Sequence, residues 1–134
     1  MSRPPTMADL VLDASAMVDL LLGGPLGAAV ARRIAGHGLH GPGHLELEVL
    51  SAIGRLARAG QVDEVVATGL VRALSEAPVA IHPTRPLVAG AWARRGALRL
   101  ADAVTVELAD QLSLALVTTD RRLAPQRVAE VVTA

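Results

Sequence analysis

The 134-residue sequence contains no cysteine, no lysine, no phenylalanine and no tyrosine. Without cysteine the chain has neither disulfides nor thiolate metal sites, which agrees with a reducing cytoplasm. No apolar run reaches the roughly 20 residues that a membrane-spanning helix needs, so no membrane association is expected. Stacking on a flat ligand would depend on Trp92, on histidine or on arginine, because the chain has no other large aromatic side chain.

The composition that remains is typical of one folded domain. Apolar residues make up 51% of the chain, and 13 acidic side chains balance 13 basic ones, all of them arginine. This length and composition favour a single core and exclude extensive disorder. Residues 1–6 hold two prolines and an arginine and predict a flexible leader, with Met7 as a second candidate start, before a domain of residues 7–134.

Short apolar runs alternate with longer stretches of helical periodicity. The apolar runs predict strands at Leu10–Leu12, near Leu39, at Val79–His82, at Leu114–Val117 and at an edge position in the tail with Val128, Val131 and Val132. Helices are predicted over Ser15–Leu22, Pro25–Ala35, Leu45–Arg58, Val62–Ser75, Leu87–Arg95 and Leu100–Leu112. This alternation predicts a single three-layer α/β/α domain around a parallel sheet of four to five short strands.

Two aspartates follow the two strongest predicted strands. Asp13 comes directly after Leu10–Leu12, and Asp120 closes the Thr-Thr-Asp segment after Leu114–Val117. In open parallel sheets, ligands bind beyond the carboxyl ends of the strands, so both side chains are expected on that side. The alternative is that each aspartate caps the helical turn that follows it. Two such acids on the two strongest strands favour a site.

A third aspartate, Asp102, lies in the first turn of a predicted helix. The helix macrodipole alone would stabilise a negative charge there. However, the residues on both sides of Asp102 are apolar. A carboxylate in apolar surroundings needs a partner, and a cation is a good candidate.

Two glutamates, Glu46 and Glu48, flank the apolar stripe of the predicted Leu45–Arg58 helix on opposite sides. Periodicity leaves open which of them faces a site, and either could be a solvated flank that pairs with arginine. Five arginines near the third and fourth acids are candidate phosphate contacts, with ordinary surface charge as the alternative: Arg94, Arg95, Arg99, Arg121 and Arg122.

Other chemistries find less support in the sequence. His37, His40 and His44 are spaced loosely like metal ligands, but the segment is rich in glycine and no cysteine is present. A triad of Ser15 with a histidine and an aspartate can be drawn, yet no nucleophile elbow or phosphate-binding loop accompanies it. A phosphohydrolase or receiver-like domain would need a lysine near the phosphate, and the absence of lysine argues against it.

Four segments stand out together: LVLDASAMVDLL, HLELEVLSAIGRL, LADAVTVELA and LALVTTDRRL. In this order and spacing they resemble the PIN-domain toxins of VapBC-type toxin–antitoxin modules, from Met7 to about Leu123. The resemblance implies a PIN-like fold. Members of that family often carry an aromatic residue close after the third acid, where this chain has Val104, Thr105 and Val106. This departure concerns local packing or base stacking rather than the acidic site.

The resemblance implies roles residue by residue. The family's four acids correspond to Asp13, Glu48, Asp102 and Asp120. Glu48 is selected over Glu46 because the family's helical glutamate precedes a V-x-x-A segment. Thr118 is implied as the hydroxyl neighbour of Asp120, and Ser15 as that of Asp13.

The same resemblance implies an activity and partners. It implies a cytoplasmic Mg²⁺- or Mn²⁺-dependent endoribonuclease whose products carry 5′-phosphate and 3′-hydroxyl ends. Asp13 and Asp102 would hold the principal ion, while Glu48 and Asp120 complete the cluster or position the attacking water. A cognate VapB-type antitoxin and a homodimer are also implied. The apolar segment 62–74 is a candidate for part of an interface, with a place in the core as the equal alternative. A non-catalytic module that binds only RNA or protein is the alternative.

Overall fold

The computed structural model describes residues 7–134, and the predicted leader, residues 1–6, lies outside the described residues. The strands are β1 (Leu10–Leu12), β2 (Leu39–Pro42), β3 (Val79–His82), β4 (Leu116–Thr118) and β5 (Ala129–Val131). The helices are α1 (Ala14–Leu22), α2 (Gly24–Ile34), α3 (Leu45–Arg58), α4 (Glu64–Ser75), α5 (Val88–Ala93) and α6 (Leu100–Leu112). Short 3-10 turns at Arg85–Leu87 and Arg121–Leu123 precede α5 and β5.

The five strands form one parallel sheet in the order β3-β2-β1-β4-β5. The chain begins at the centre, adds β2 and β3 on one side, and then returns to add β4 and β5 on the other. The direction of winding therefore reverses between β1 and β4. A crevice opens at such a reversal, beyond the carboxyl ends of the two strands, and ligands bind there in open parallel sheets.

Helices cover both faces of the sheet, as the three-layer prediction requires. On one face, Leu10 and Leu12 pack with buried side chains of α1, α2, α3 and α4. On the other face, Val11 and Leu116 pack against α6 and the turn before α5. Side chains alternate across a strand, so an entirely apolar β1 contributes to both cores. Because β1 is central and buried on both faces, its three residues are enough to position Asp13, which directly follows the strand.

The predicted bounds of three elements are corrected by the structure. α4 begins at Glu64 rather than Val62, because Asp63 is its N-cap and accepts a hydrogen bond from the Val66 backbone at 2.9 Å. β4 lies at 116–118 rather than 114–117, because those residues pair with β1 and β5. α5 is shorter than predicted, since a 3-10 turn replaces its start and the helix ends at Ala93.

A sharp bend separates α1 from α2. Gly23 lies between them with a φ of 78°, a conformation that favours glycine. A Cβ atom on Gly27 would lie 2.3 Å from the Asp19 carbonyl oxygen, so the close approach of α2 to α1 also requires glycine. Within residues 7–134, no single helix is long and apolar enough to cross a membrane; α1 and α2 pass that test only as a pair, bent by 116°.

Candidate active site

A pocket of about 330 Å³ lies at the reversal point of the sheet. Its lining includes all four acids that the resemblance implied: Asp13, Glu48, Asp102 and Asp120. These side chains come from the β1–α1 junction, from α3, from the first turn of α6 and from the turn after β4. Arg55, Arg99 and Arg122 line the same pocket, so acidic and basic groups share it.

Asp13 is the most deeply buried of the four carboxylates, with 6% of its surface exposed. Its Oδ2 atom accepts hydrogen bonds from Ser15 Oγ at 2.6 Å and from Thr118 Oγ1 at 2.8 Å. Its side chain makes no capping bond to α1, so the capping alternative does not apply here. Burial raises the pKa of Asp13, the two hydroxyl donors oppose that effect, and the charges of Asp102 and Glu48 raise the pKa further.

The hydroxyl groups of Ser15 and Thr118 join the two strand ends. They lie 3.0 Å apart, and both hydroxyls contact Asp13. The Asp120 backbone N–H donates to Thr118 Oγ1 at 3.0 Å, and the Thr119 backbone N–H donates to Ser15 Oγ at 3.1 Å. Thr118 therefore acts on Asp120 through its backbone and on Asp13 through its carboxylate, which sequence reasoning did not predict.

Replacing Thr118 with Val is expected to lower the free energy of unfolding by about 1–3 kcal/mol, because it removes a donor to Asp13 and leaves the Asp120 N–H without its partner. Urea unfolding measures the change. Thr105→Val is the matched control, because Thr105 is equally buried and donates only to the Ala101 carbonyl of its own helix. Equal destabilisation of the two variants would contradict a special role for the Thr118 hydroxyl.

Asp102 and Asp120 each pair with a nearby arginine. Arg99 Nε lies 3.2 Å from Asp102 Oδ2, and Arg122 Nη2 lies 2.6 Å from Asp120 Oδ2. Asp120 also accepts a hydrogen bond from the Arg122 backbone N–H at 3.0 Å, so it does cap its 3-10 turn while lining the pocket. The side-chain hydrogen bonds from Arg122 lower the pKa of Asp120.

Glu48 and Glu46 face different surfaces. Glu48 lines the acidic pocket, whereas Glu46 lies in an apolar groove between α3 and α4, beside Leu47 and Leu50. The buried Nε2 atom of His44 lies 3.0 Å from Glu48 Oε1, close enough for an ion pair although not aligned as a hydrogen bond. Interaction with Glu48 raises the pKa of His44 against the opposing effect of burial. Of the two glutamates that helical periodicity could not separate, Glu48 is therefore the one that faces the acidic pocket.

An acidic residue of the pocket, Asp19, was missed by sequence reasoning. It lines the pocket and accepts a hydrogen bond from Thr119 Oγ1 at 2.6 Å. Asp19 lies four residues after Ser15 in α1, and residues at that spacing share a helix face. This four-residue spacing is the signal that the sequence offers for Asp19. It predicts a place in the pocket only if Ser15 is already known to lie there.

The five arginines predicted as phosphate contacts do not converge. Arg99 and Arg122 line the pocket. Arg94 instead binds two carboxylates of α6, and Arg95 lies 4.6 Å over the indole ring of α5. Arg121 is exposed and outside the pocket lining. Only two of the five are therefore placed to meet a ligand in this pocket.

The three histidines of the glycine-rich segment lie in separate contacts. His40 Nε2 is 2.7 Å from Asp9 Oδ2, and its Nδ1 is 2.8 Å from His82 Nε2. His37 contacts a backbone carbonyl before β1, and His44 pairs with the acidic pocket. A shared histidine metal site, which the sequence disfavoured, is not formed by these three side chains.

The acidic pocket has the oxygen donors of a divalent-cation site. Carboxylate oxygens are the ligands that Mg²⁺ and Mn²⁺ prefer, and the like charges around Asp13 favour a cation among them. In the part of the chain that the structure describes, however, no three Asp, Glu or His side chains are grouped to hold an ion as they stand. Three of the four carboxylates are turned toward Arg99, Arg122 or His44. The donor chemistry fits, and binding requires these side chains to exchange partners.

Comparison with known proteins places the chain in a family. Residues 10–130 match the PIN domain. Ribonuclease VapC3 of Mycobacterium tuberculosis is 47% identical over 116 residues, which cover 86% of this chain and 85% of that protein. The crystal structure of PAE2754 from Pyrobaculum aerophilum has a TM-score of 0.69 and 26% identity, covering 91% of this chain and 82% of the other.

A third match agrees with this fold. A toxin–antitoxin complex from Klebsiella pneumoniae contains a chain with a TM-score of 0.61, which covers 92% of this chain and 97% of its own length. Its identity is 16%, so it shows the fold alone. The family match and the 47% identical relative confirm the membership that the four sequence segments predicted. The chain therefore belongs to the PIN-domain family, in its VapC group of ribonucleases.

Proposed function

We propose that the chain is the endoribonuclease toxin of a type II toxin–antitoxin module and that it hydrolyses RNA phosphodiesters with Mg²⁺ or Mn²⁺. One observation carries the proposal. In a chain of the VapC group, four carboxylates from four separate elements line a single pocket at the reversal point of the sheet. Arginines in the same lining suit a phosphate-bearing substrate.

The four carboxylates have different proposed roles. Asp13 and Asp102 would hold the principal ion, and Glu48 and Asp120 would complete the site or position the attacking water. A bound ion would polarise the phosphodiester and make the attacking water more acidic. Two hydroxyl donors already fix the Asp13 carboxylate, so little ordering is needed at that position when a ligand binds.

EDTA is expected to stop cleavage of total RNA by the purified chain, and excess Mg²⁺ or Mn²⁺ is expected to restore it, because the carboxylates alone provide no electrophile for the phosphate. Gel analysis measures the cleavage, and sequencing of 5′-phosphate ends maps the sites. An Asp13→Asn preparation purified in parallel controls for contaminating nuclease. Cleavage that survives EDTA, or products with 2′,3′-cyclic phosphate ends, would contradict the proposed mechanism.

A non-catalytic PIN-like module that only binds RNA or protein is the second candidate. The observation that favours it is the pairing of three carboxylates with basic side chains, since no metal cluster is pre-arranged within residues 7–134. The two candidates differ in one measurement. A catalytic chain cuts RNA in a cation-dependent way, whereas a binding module retains RNA without producing new 5′ ends.

The proposal includes partners and a cellular location. A toxic ribonuclease needs restraint, so we propose a cognate VapB-type antitoxin, a homodimer and a cytoplasmic location. Membership in the VapC group supports the first of these. In α4, Val65 is 84% exposed and Val66 is 50% exposed, which supports a role for this helix in an interface. Co-expression with a cognate VapB-type antitoxin should relieve growth inhibition.

A further inference from the structure

Two guanidinium groups contact carboxylate oxygens of the acidic pocket. Arg122 Nε lies 3.1 Å from each oxygen of Asp120, and its Nη2 lies 2.6 Å from Oδ2. Arg99 Nε donates to Asp102 Oδ2 at 3.2 Å. A divalent cation would use lone pairs of the same oxygen atoms. Arginine pairing and cation coordination therefore compete for these two carboxylates.

The two partners of each ion pair differ in exposure. The side chains of Arg99 and Arg122 are 67% and 64% exposed, whereas those of Asp102 and Asp120 are 14% and 19% exposed. The carboxylates are thus largely shielded from solvent, whereas the arginine side chains are mostly exposed to it. Exposed ion pairs of this kind stabilise a fold only weakly, so each arginine can change partner at small cost.

Each arginine also interacts with a pocket carboxylate other than its direct partner. Arg99 interacts electrostatically with Asp120, and Arg122 interacts with Asp102 and Asp13. Each arginine lies two or three residues from its aspartate, so it stays at the edge of the pocket after release. A planar guanidinium binds phosphate oxygens in the same bidentate way as carboxylate oxygens.

We propose that Arg99 and Arg122 are exchangeable counter-ions. They neutralise Asp102 and Asp120, leave them when a divalent cation binds the same carboxylates, and then bind phosphate groups of the RNA. The inference rests on the proposed function and adds an order to it, because the cation both completes the acidic site and frees the phosphate-binding side chains. It also accounts for a difference in exposure. The side chains of Arg99 and Arg122 are mostly exposed to solvent, whereas that of Arg94, which binds two carboxylates of α6, is mostly buried.

The first test measures Mn²⁺ affinity by isothermal titration calorimetry in the absence of RNA. Arg99→Ala and Arg122→Ala are each expected to bind Mn²⁺ roughly two- to fivefold more tightly than the unmodified chain, because a competitor for the carboxylate is removed. Arg127→Ala is the matched control, since it removes an exposed arginine paired with Asp110 outside the pocket. It is expected to leave Mn²⁺ affinity unchanged.

A second control distinguishes two effects on Mn²⁺ affinity: the loss of an arginine that competes for a carboxylate, and the loss of positive charge from the pocket as a whole. Arg55 also lines the pocket, but it has no ion pair among the described residues. Arg55→Ala therefore changes the local charge without freeing a carboxylate. An increase in Mn²⁺ affinity as large as that of Arg99→Ala and Arg122→Ala would overturn the exchange, as would unchanged or weaker binding in those two variants.

The second test measures KM for an RNA oligonucleotide that contains a mapped cleavage site, at saturating Mn²⁺ and several salt concentrations. Arg99→Ala and Arg122→Ala should each raise KM and reduce the dependence of log KM on log salt by about 0.7, because one phosphate group is no longer neutralised. An unchanged KM and salt dependence would overturn the inference. A chain that neither binds Mn²⁺ nor cuts RNA would overturn the proposed function itself, whereas normal activity with unaltered Mn²⁺ affinity in both variants refutes only the exchange.

Discussion

Replacing Asp13 with Asn is expected to abolish RNA cleavage while leaving the fold at least as stable as before. The amide keeps the shape of the side chain and one carbonyl oxygen, which can accept both hydroxyl hydrogen bonds that now reach Oδ2. The negative charge that would hold the cation is lost. Because electrophilic assistance by a metal supplies several kcal/mol, cleavage should fall by about 10³-fold or more.

The effect of this substitution on the free energy of unfolding is expected to depend on pH. Burial raises the pKa of Asp13 above its value in the unfolded chain, so ionisation disfavours the folded state. The free-energy cost of ionising Asp13 in the fold is absent at a pH below its pKa in the unfolded chain. It reaches its full size once the pH has risen above its pKa in the folded chain. Asp13→Asn should therefore be more stable than the unmodified chain at neutral pH in EDTA, with a difference that disappears in acid. Urea unfolding at pH 7 and at pH 4 tests the sign.

Asp63→Asn is the charge-matched control for this experiment. Asp63 is an exposed N-cap outside the pocket, and asparagine caps helices as well as aspartate does. The control should retain cleavage and stability. Full cleavage by Asp13→Asn would refute the metal-site assignment, and a variant that is markedly less stable at neutral pH would contradict the view that this buried charge is a cost to the fold.

Much of the fold is predictable from sequence because its central strands are short, apolar and followed by polar turns. Leu10–Leu12 is buried on both faces, and that burial is what an uninterrupted apolar run encodes. The start of β4 at Leu116 rather than Leu114 was not predictable, because Leu114 and Ala115 are as apolar as strand residues and only pairing with β1 and β5 sets the bounds.

The site was predictable to different degrees. The strand-end rule places Asp13 and Asp120 without any structure, because the carboxyl ends of parallel strands meet at one edge. Asp19 and the ion pair of His44 depend on side-chain contacts that a linear pattern does not contain. Glu48 could be separated from Glu46 only through family resemblance, and the structure now supplies an independent geometric reason.

Glu48→Gln is expected to lower the rate of RNA cleavage by roughly 100-fold, and Glu46→Gln is expected to leave it unchanged. The two substitutions remove the same charge two residues apart on one helix, so they differ only in the surface that each side chain reaches. Loss of one carboxylate from a cation site costs a few kcal/mol of transition-state stabilisation, which corresponds to this rate change. Single-turnover kinetics at saturating Mg²⁺ make the comparison.

A second readout from the same pair of variants shows whether Glu48 lies where the structure has it, independently of catalysis. Glu48 raises the pKa of His44, so Glu48→Gln should lower that pKa, while Glu46→Gln should not change it. NMR titration of the His44 ring measures both. If Glu46→Gln were the variant that lost activity and shifted His44, the orientation of α3 in the site would be wrong. If Glu48→Gln shifts His44 but retains cleavage, the pocket geometry is right and three aspartates suffice for the chemistry.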